Sequence, residues 1–523
     1  MGKITFLPND IIVKIFSLLD LRTLMQVSAT CKQFQKITET ASLLWRISFA
    51  QPAMRRLGMP ISSEGQVDCG YWKKKAVECF RLERLLHTHE CAGSYPIELK
   101  IKKAWWKKSV STQYLIKEIH AFNGKLIVVW PHHIELRDTN TFNTEKSLSL
   151  QKFHDKFKTG YIQTKEPRVK IGLDSVENVF KKTVYSYLEA PFLVVAGQAH
   201  KQPKTRVVDL NKFKICNSFL GAEPIHLFSG VVTLLQPSNT FNILFYDLKQ
   251  QAVLQQHIVS EIPSRKVSYL HWKTSQHLWL YVVDNTKTPS NTPPFFTKIN
   301  YSTRVVSTCT LDTQNFKIRP SALSEFIEIC ESEEGSLIIC RKEYNAAFGR
   351  YSYLVDVHAA DGTFLKNMMR TEFGISHLSL SNQTVLGTLY SLGASMLWKC
   401  KVDVKKEFGD MKEECIHLGK ESIVSLKHIG NYAIVSFTQQ AVENKYASSK
   451  SKLVIWDVES KSSISHFEHC GRGFTQFVLT EEALIGLQEQ EQFDWLSLEW
   501  YRRDSILWNF RSVPFIKEKE SKT

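Results

Sequence analysis

Residues 453–467 read LVIWDVESKSSISHF. A short run of Leu, Val, Ile and Trp ends at Asp457, a polar stretch follows, and a second run alternates apolar with polar residues up to Phe467. Length, β-branched content and punctuation all point to strand, turn, strand. An Asp closing such a run is a turn residue, because its short carboxylate accepts backbone N–H groups two or three positions further on. The same grammar recurs along the chain. IELRD ends at Asp138, RVVDL contains Asp209, ILFYDL contains Asp247, FFTKIN ends at Asn300, YLVDV contains Asp356, LWKCKVD ends at Asp403 and LEWYRRD ends at Asp504. The longest interval, from Asp138 to Asp209, fits an insertion near residues 152–182.

The eight units recur at a mean spacing of about 52 residues, which suits four strands and their loops. Two hairpin turns are also legible. Asn123-Gly124 separates Glu118–Phe122 from Lys125–Trp130, and Gly430-Asn431 separates Val424–Ile429 from Tyr432–Phe437. Asn-Gly favours hairpins because both turn residues must take positive φ. Many short strands need an architecture that leaves few open edges. The expectation is a β-propeller of eight blades, with seven as the alternative. LVIWDVESKSSISHF resembles a WD-repeat strand pair, with Trp456-Asp457 as the Trp-Asp, but no Gly-His dipeptide occurs anywhere. The resemblance therefore implies a degenerate, WD-repeat-like propeller. A leucine-rich solenoid needs a period of about 20–29 residues, and none is present.

The first fifty residues follow a different period. Ile11, Ile15 and Leu19 recur every four positions with Ile12 and Phe16 beside them, the stripe of an amphipathic helix. Leu7-Pro8 opens it, since proline is tolerated where a helix begins. Asp20 suits an N-cap ahead of a second helix carrying Leu21, Leu24, Met25 and Val27, and Thr30 is placed to cap a third with Phe34 and Ile37. Three short helices bury too little surface to be comfortably stable alone. They also hold more apolar residues than so small a core can use. The surplus either meets a partner or packs on the rest of the chain.

This segment, from Leu7-Pro8 through Leu18-Leu19-Asp20, Leu24, Val27-Ser28, Cys31-Lys32 and Phe34 to Leu44-Trp45, resembles an F-box. Phe34 departs from the tryptophan often found there. The resemblance implies docking on the Skp adaptor and, through it, on the cullin and RING protein of an SCF-type ubiquitin ligase. Leu7, Pro8, Ile11, Ile15, Leu24 and Val27 are the expected adaptor contacts, while Phe34 and Trp45 hold the helices together. The expected organisation is multidomain, α plus all-β: a three-helix F-box over 1–50, a basic helical connector over 51–111, the propeller over 112–515 and a polar tail over 516–523.

The chain has 523 residues and a formal charge of +15. Residues 1–110 hold 18 Lys and Arg against 9 Asp and Glu, so a net +9 sits in the first fifth. Lys100, Lys102, Lys103, Lys107 and Lys108 flank Trp105-Trp106, a mixture that can bind phosphates and stack bases. No zinc finger or RNA-recognition signature accompanies it, and a solvated basic face with buried tryptophans is the favoured reading. Nucleic acid is thus disfavoured as a partner. The 11 cysteines are scattered without Cys-x-x-Cys; with no secretory pattern at the start, the expected setting is reducing: cytoplasmic or nuclear, or the host cytosol for a bacterial effector. No apolar run reaches the ~20 residues of a membrane span.

Signatures of catalysis are missing: no nucleophile elbow, phosphate loop or His-Glu-x-x-His motif occurs. His466-x-x-His469-Cys470 has ligand-like spacing but lies in a strand-and-turn pattern and is read as a polar patch. The expectation is a non-enzymatic substrate receptor with no metal and no cofactor. A non-degradative scaffold and a bacterial effector using the host ligase are the alternatives. Its protein substrate is unknown; a basic face built from Arg206, Arg265, Arg304, Arg350 or Arg472 would select acidic or phosphorylated segments.

Overall fold

The structure is a computed structural model. It describes residues 7–57, 69–87, 91–96, 118–130, 133–139, 141–150, 184–199, 202–237, 241–260, 267–274, 277–284, 295–311, 326–332, 335–345, 350–381, 384–391, 394–401, 413–419, 422–439, 450–470, 473–480, 483–494 and 499–511. The basic run around Trp105-Trp106 lies outside these residues.

Three helices open the chain: α1 (Asn9–Phe16), α2 (Leu21–Ser28) and α3 (Lys32–Thr40). Pro8 caps α1, its carbonyl accepting the N–H groups of Ile11 and Ile12 at 3.0 and 3.1 Å. Asp20 caps α2, accepting the Thr23 N–H at 2.8 Å. The cap of α3 falls one residue later than its sequence suggests. Cys31 Sγ accepts the Phe34 N–H at 3.4 Å, while the Thr30 hydroxyl turns back to the Val27 carbonyl at 2.7 Å and closes the helix before it. A π-helical turn (Leu44–Ala50) runs into α4 (Gln51–Arg56), and the long α5 (Cys69–Leu86) follows.

Thereafter the chain forms eight four-stranded antiparallel sheets, the blades of a β-propeller, which settles the blade number at eight. Seven are simple meanders spanning 118–149, 184–220, 223–260, 267–310, 326–371, 374–419 and 422–470. The eighth combines three strands from 474–511 with Cys91–Pro96, which pairs with the last strand, Tyr95 opposite Leu507. The expected connector therefore contains an outer strand of the propeller. Both foreseen hairpins occur. Asn123 and Gly124 carry φ of 48° and 70°, joining Glu118–Phe122 to Lys125–Val129, and Gly430-Asn431 joins Ser422–Ile429 to Tyr432–Gln439.

The recurring acids behave as turn residues where they end the third strand of a blade. Asp457 accepts the N–H groups of Glu459 and Ser460 at 2.8 and 3.2 Å, and Asp209, Asp247 and Asn300 each accept two N–H groups in the same way. Asp356 does not. It is buried inside strand Arg350–His358 with Arg341 Nε at 2.7 Å, and Asp361 takes over its turn, accepting the Thr363 N–H. Asp504 lies within strand Glu499–Arg511, and Asp403 falls outside the described residues.

The chain divides into two compact units. One comprises residues 1–98, 421–493 and 505–523, the other 99–420 and 494–504. In the second, sheet packs on sheet: Ile127, Val129 and Ile134 of the first blade meet Leu193, Val195 and Val208 of the second. In the first, a single core joins the helices to the seventh and eighth blades. Ile12, Phe16, Leu24, Trp45, Trp72 and Cys79 share it with Tyr432, Ile434, Leu453, Ile455 and Phe474.

Candidate docking surface on the N-terminal helices

Helix α1 is apolar on two sides. Ile12 and Phe16, four residues apart, point inward and are buried; Phe16 meets Phe34 edge-on with ring centroids 5.4 Å apart. Ile11, Ile15 and Leu18 fall on another side and remain 42, 38 and 85 % exposed. Leu7 and Pro8 are exposed beside them. The inner side belongs to a core shared with Trp45, which is fully buried and donates its indole N–H to the Thr38 carbonyl at 2.6 Å. One core can absorb only one side of so short a helix, so the other is left as an apolar surface.

Helix α2 sorts its residues likewise. Leu21 and Leu24 are inward, Met25 is outward and Val27 is half-buried against the core. Leu24 has no exposed surface, so it cannot itself touch a partner and belongs with the core. The exposed set gains Leu18, Met25, Leu43 and Ile47. Leu18 was legible, since it continues the 11, 15 spacing by one helical step. At the α2 N-terminus the Asp20 carboxyl is held below its ordinary range by the backbone N–H and hydroxyl of Thr23.

The helices are tied to the seventh blade, which gives this surface a fixed base. Arg56 Nε pairs with Glu83 of α5 at 2.5 Å, the Asn431 N–H donates to the Arg56 carbonyl, and the His87 ring stands edge-on to Tyr432 at 5.8 Å. Hydrogen bonding and ionic attraction to Glu83 raise the Arg56 guanidinium further above its already high range against the opposing effect of burial.

Of the five arginines expected on a substrate-capturing face, only Arg206 and Arg304 have described side chains. Arg206 is buried in strand Gln202–Asp209, and Arg304 is half-buried in the turn after Asn300. Arg350 begins strand Arg350–His358, and Arg265 and Arg472 lie outside the described residues. His466, His469 and Cys470 lie in strand Ser462–Cys470, their side chains beyond what is described. Among the described residues there is no cluster of metal-binding side chains, and no helix is long and apolar enough to cross a membrane.

The F-box-like family model matches residues 4–50. No curated protein matches the chain. Among solved structures, the WD40 domain of SCAP from fission yeast covers 80 % of this chain and 98 % of its own, at 7 % identity and a TM-score of 0.40. BamB from Moraxella catarrhalis covers 81 % and 100 %, at 9 % identity and 0.44. The fold assignment rests on the strand pairing described above. The chain thus carries an F-box-like domain at its N-terminus, followed by an eight-bladed β-propeller.

Proposed function

We propose that this protein is the substrate-recruiting subunit of an SCF-type ubiquitin ligase, working in the cytoplasm or nucleus. The observation that carries the reading is the exposed apolar stripe Leu7, Ile11, Ile15 and Leu18 on F-box-like helices whose inner side is spent on their own core. Such a stripe suits the Skp adaptor, with Pro8, Met25 and the half-buried Val27 at its margin, and the adaptor brings the cullin and RING protein. The propeller holds a target protein. The protein performs no chemistry in this scheme. It raises the local concentration of a target lysine beside the conjugating enzyme, and proximity supplies the rate.

The test is co-purification of the full chain with the Skp adaptor, comparing wild type with a Leu7→Ala/Pro8→Ala variant and with Ile11→Asp/Ile15→Asp. Wild type retains the adaptor and both variants lose most of it. Equal recovery by all three, or by none, overturns the proposal. Detection of the cullin with wild type alone separates ligase assembly from adaptor binding for another purpose.

A further inference from the structure

Helix α5 has two faces of opposite character. Trp72, Ala76, Cys79, Leu82 and Leu86 form its buried stripe. On another side, Gly70, Lys73, Lys74, Val77, Glu78 and Arg81 line a groove of about 350 Å³. The only acid among the described residues of this lining, Glu78, is already paired with Lys75 at 2.6 Å. Lys74 and Arg81 are exposed, and Lys73 is half-buried with its ammonium over the Trp45 ring at 5.6 Å. The groove is therefore positive, on a helix with five Lys and Arg (Lys73, Lys74, Lys75, Arg81, Arg84) against two Glu (Glu78, Glu83).

We propose that this groove is a docking surface for an acidic segment of a partner protein. Charge complementarity sets the sign of the ligand. Spacing sets its form. Lys74 and Arg81 are seven residues apart, about 10 Å along the helix axis. A single phosphate or carboxylate reaches one of them, whereas a peptide with acids about seven residues apart in a helix, or about three apart in an extended chain, reaches both. Val77 lies between the cations and offers an apolar contact at the centre. Among the described residues no aromatic side chain lines the groove, which favours an acidic peptide over single-stranded nucleic acid, whose binding depends on stacking. The surface is separate in sequence from the α1 stripe, and the proposal does not rest on the ligase reading.

The experiment is fluorescence anisotropy on the full chain, using a labelled helical peptide with glutamate pairs seven residues apart around a central leucine. Wild type binds the peptide, and affinity falls at least fivefold when salt is raised from 50 to 300 mM, because exposed charges are screened. Lys74→Ala/Arg81→Ala lowers affinity at least tenfold, and Lys74→Glu/Arg81→Glu abolishes binding, each with an unchanged thermal melt. Lys32→Glu/Lys36→Glu on α3 leaves binding intact. Failure of wild type to bind, or equal binding by the α5 variants, overturns the proposal. So does complete competition by millimolar inorganic phosphate, which marks a point-anion site. Tighter binding of a single-stranded oligonucleotide, lost with the same variants, reassigns the surface to nucleic acid and also overturns it.

Discussion

The backbone N–H of Asn431 donates to the carbonyl of Arg56 at 2.6 Å, joining the hairpin turn of the seventh blade to the end of α4. Around it Tyr432, Ile434, Leu453 and Ile455 share one core with Trp45, Trp72 and Cys79. The N-terminal helices and the seventh blade are thereby a single packed body. A small three-helix module that cannot bury enough surface alone borrows the face of a sheet.

Tyr432→Ala accordingly loosens the helices more than the blade. Truncating a buried aromatic costs about 3 kcal/mol, and the cavity opens on the side of α5. Amide hydrogen exchange across Cys69–Leu86 is expected to accelerate markedly, while the strands of 118–310 keep their protection. Unchanged exchange in α5 contradicts the shared core.

Leu24 and Ile15 separate core from surface. Leu24→Ala costs about 2–5 kcal/mol because it leaves a cavity in a filled core. Ile15→Asp changes stability by about 0.5 kcal/mol or less, as exposed substitutions do, yet lowers adaptor affinity at least tenfold. A denaturant titration paired with a binding isotherm distinguishes the two; a stable Leu24→Ala variant with weakened binding contradicts this assignment.

Glu328 introduces a pH dependence in the fifth blade. Burial pushes its carboxyl up to about 7, with the Ile329 N–H pulling weakly the other way. A pKa raised on folding means that the folded state holds the proton more tightly. Its contribution is complete below the unfolded value of about 4.3 and is lost as pH rises towards 7. Glu328→Gln should therefore stabilise the protein at pH 8, by roughly 3 kcal/mol at most, and make little difference at pH 4. Thermal melts of both forms across pH 4 to 8 check the crossing.

Glu135 in the first blade carries the opposite sign. Burial raises its carboxyl, but hydrogen bonds from His133 and Arg137, with Trp130 behind them, outweigh it and hold it at about 2. Its stabilisation is present above an unfolded value of about 4.3 and is lost as pH falls from there towards 2. Glu135→Gln is expected to destabilise at pH 6 and to match wild type near pH 2, read by circular dichroism under mild denaturant.

Gly362 tests the turn that replaces the expected one at Asp356. Its φ is +93°, and a Cβ there would collide with the Thr310 carbonyl and lie 2.8 Å from Cys309 Sγ. Gly362→Ala is expected to lower the melting temperature by several degrees, about 1–3 kcal/mol of backbone strain, whereas Gly124→Ala pays only its own φ penalty because nothing stands within 4 Å.

Much of this architecture was legible because its causes are local. Asp457 accepts the N–H groups two and three positions further on, and Asn123-Gly124 turns the chain by its own φ preferences. The stripe of α1 follows from 3.6-residue periodicity. Asp356 misled because its apolar run resembles the others, while Arg341 on the neighbouring strand, fifteen residues away, captures its carboxylate. The basic groove went unread because Lys73, Lys74 and Arg81 become one surface only when Trp72, Ala76 and Cys79 fix the rotation of α5.

By itself, the amino-acid sequence determined strand-rich units at a recurring spacing, the turns at Asp209, Asp247, Asn300 and Asp457, and three helices with the caps of the first two, each an expression of backbone preference within a few residues. Tertiary structure decided the rest. It used Cys91–Pro96 to complete a sheet whose other strands come some 400 residues later, and it took Ile12, Phe16 and Leu24 into the core while leaving Ile11, Ile15 and Leu18 outside. The second choice concerns apolar groups of similar hydrophobicity and spacing on one helical stretch. Only the shared core of the helices and the seventh and eighth blades distinguishes them, because burial is a property of the assembled core and not of any residue in the chain.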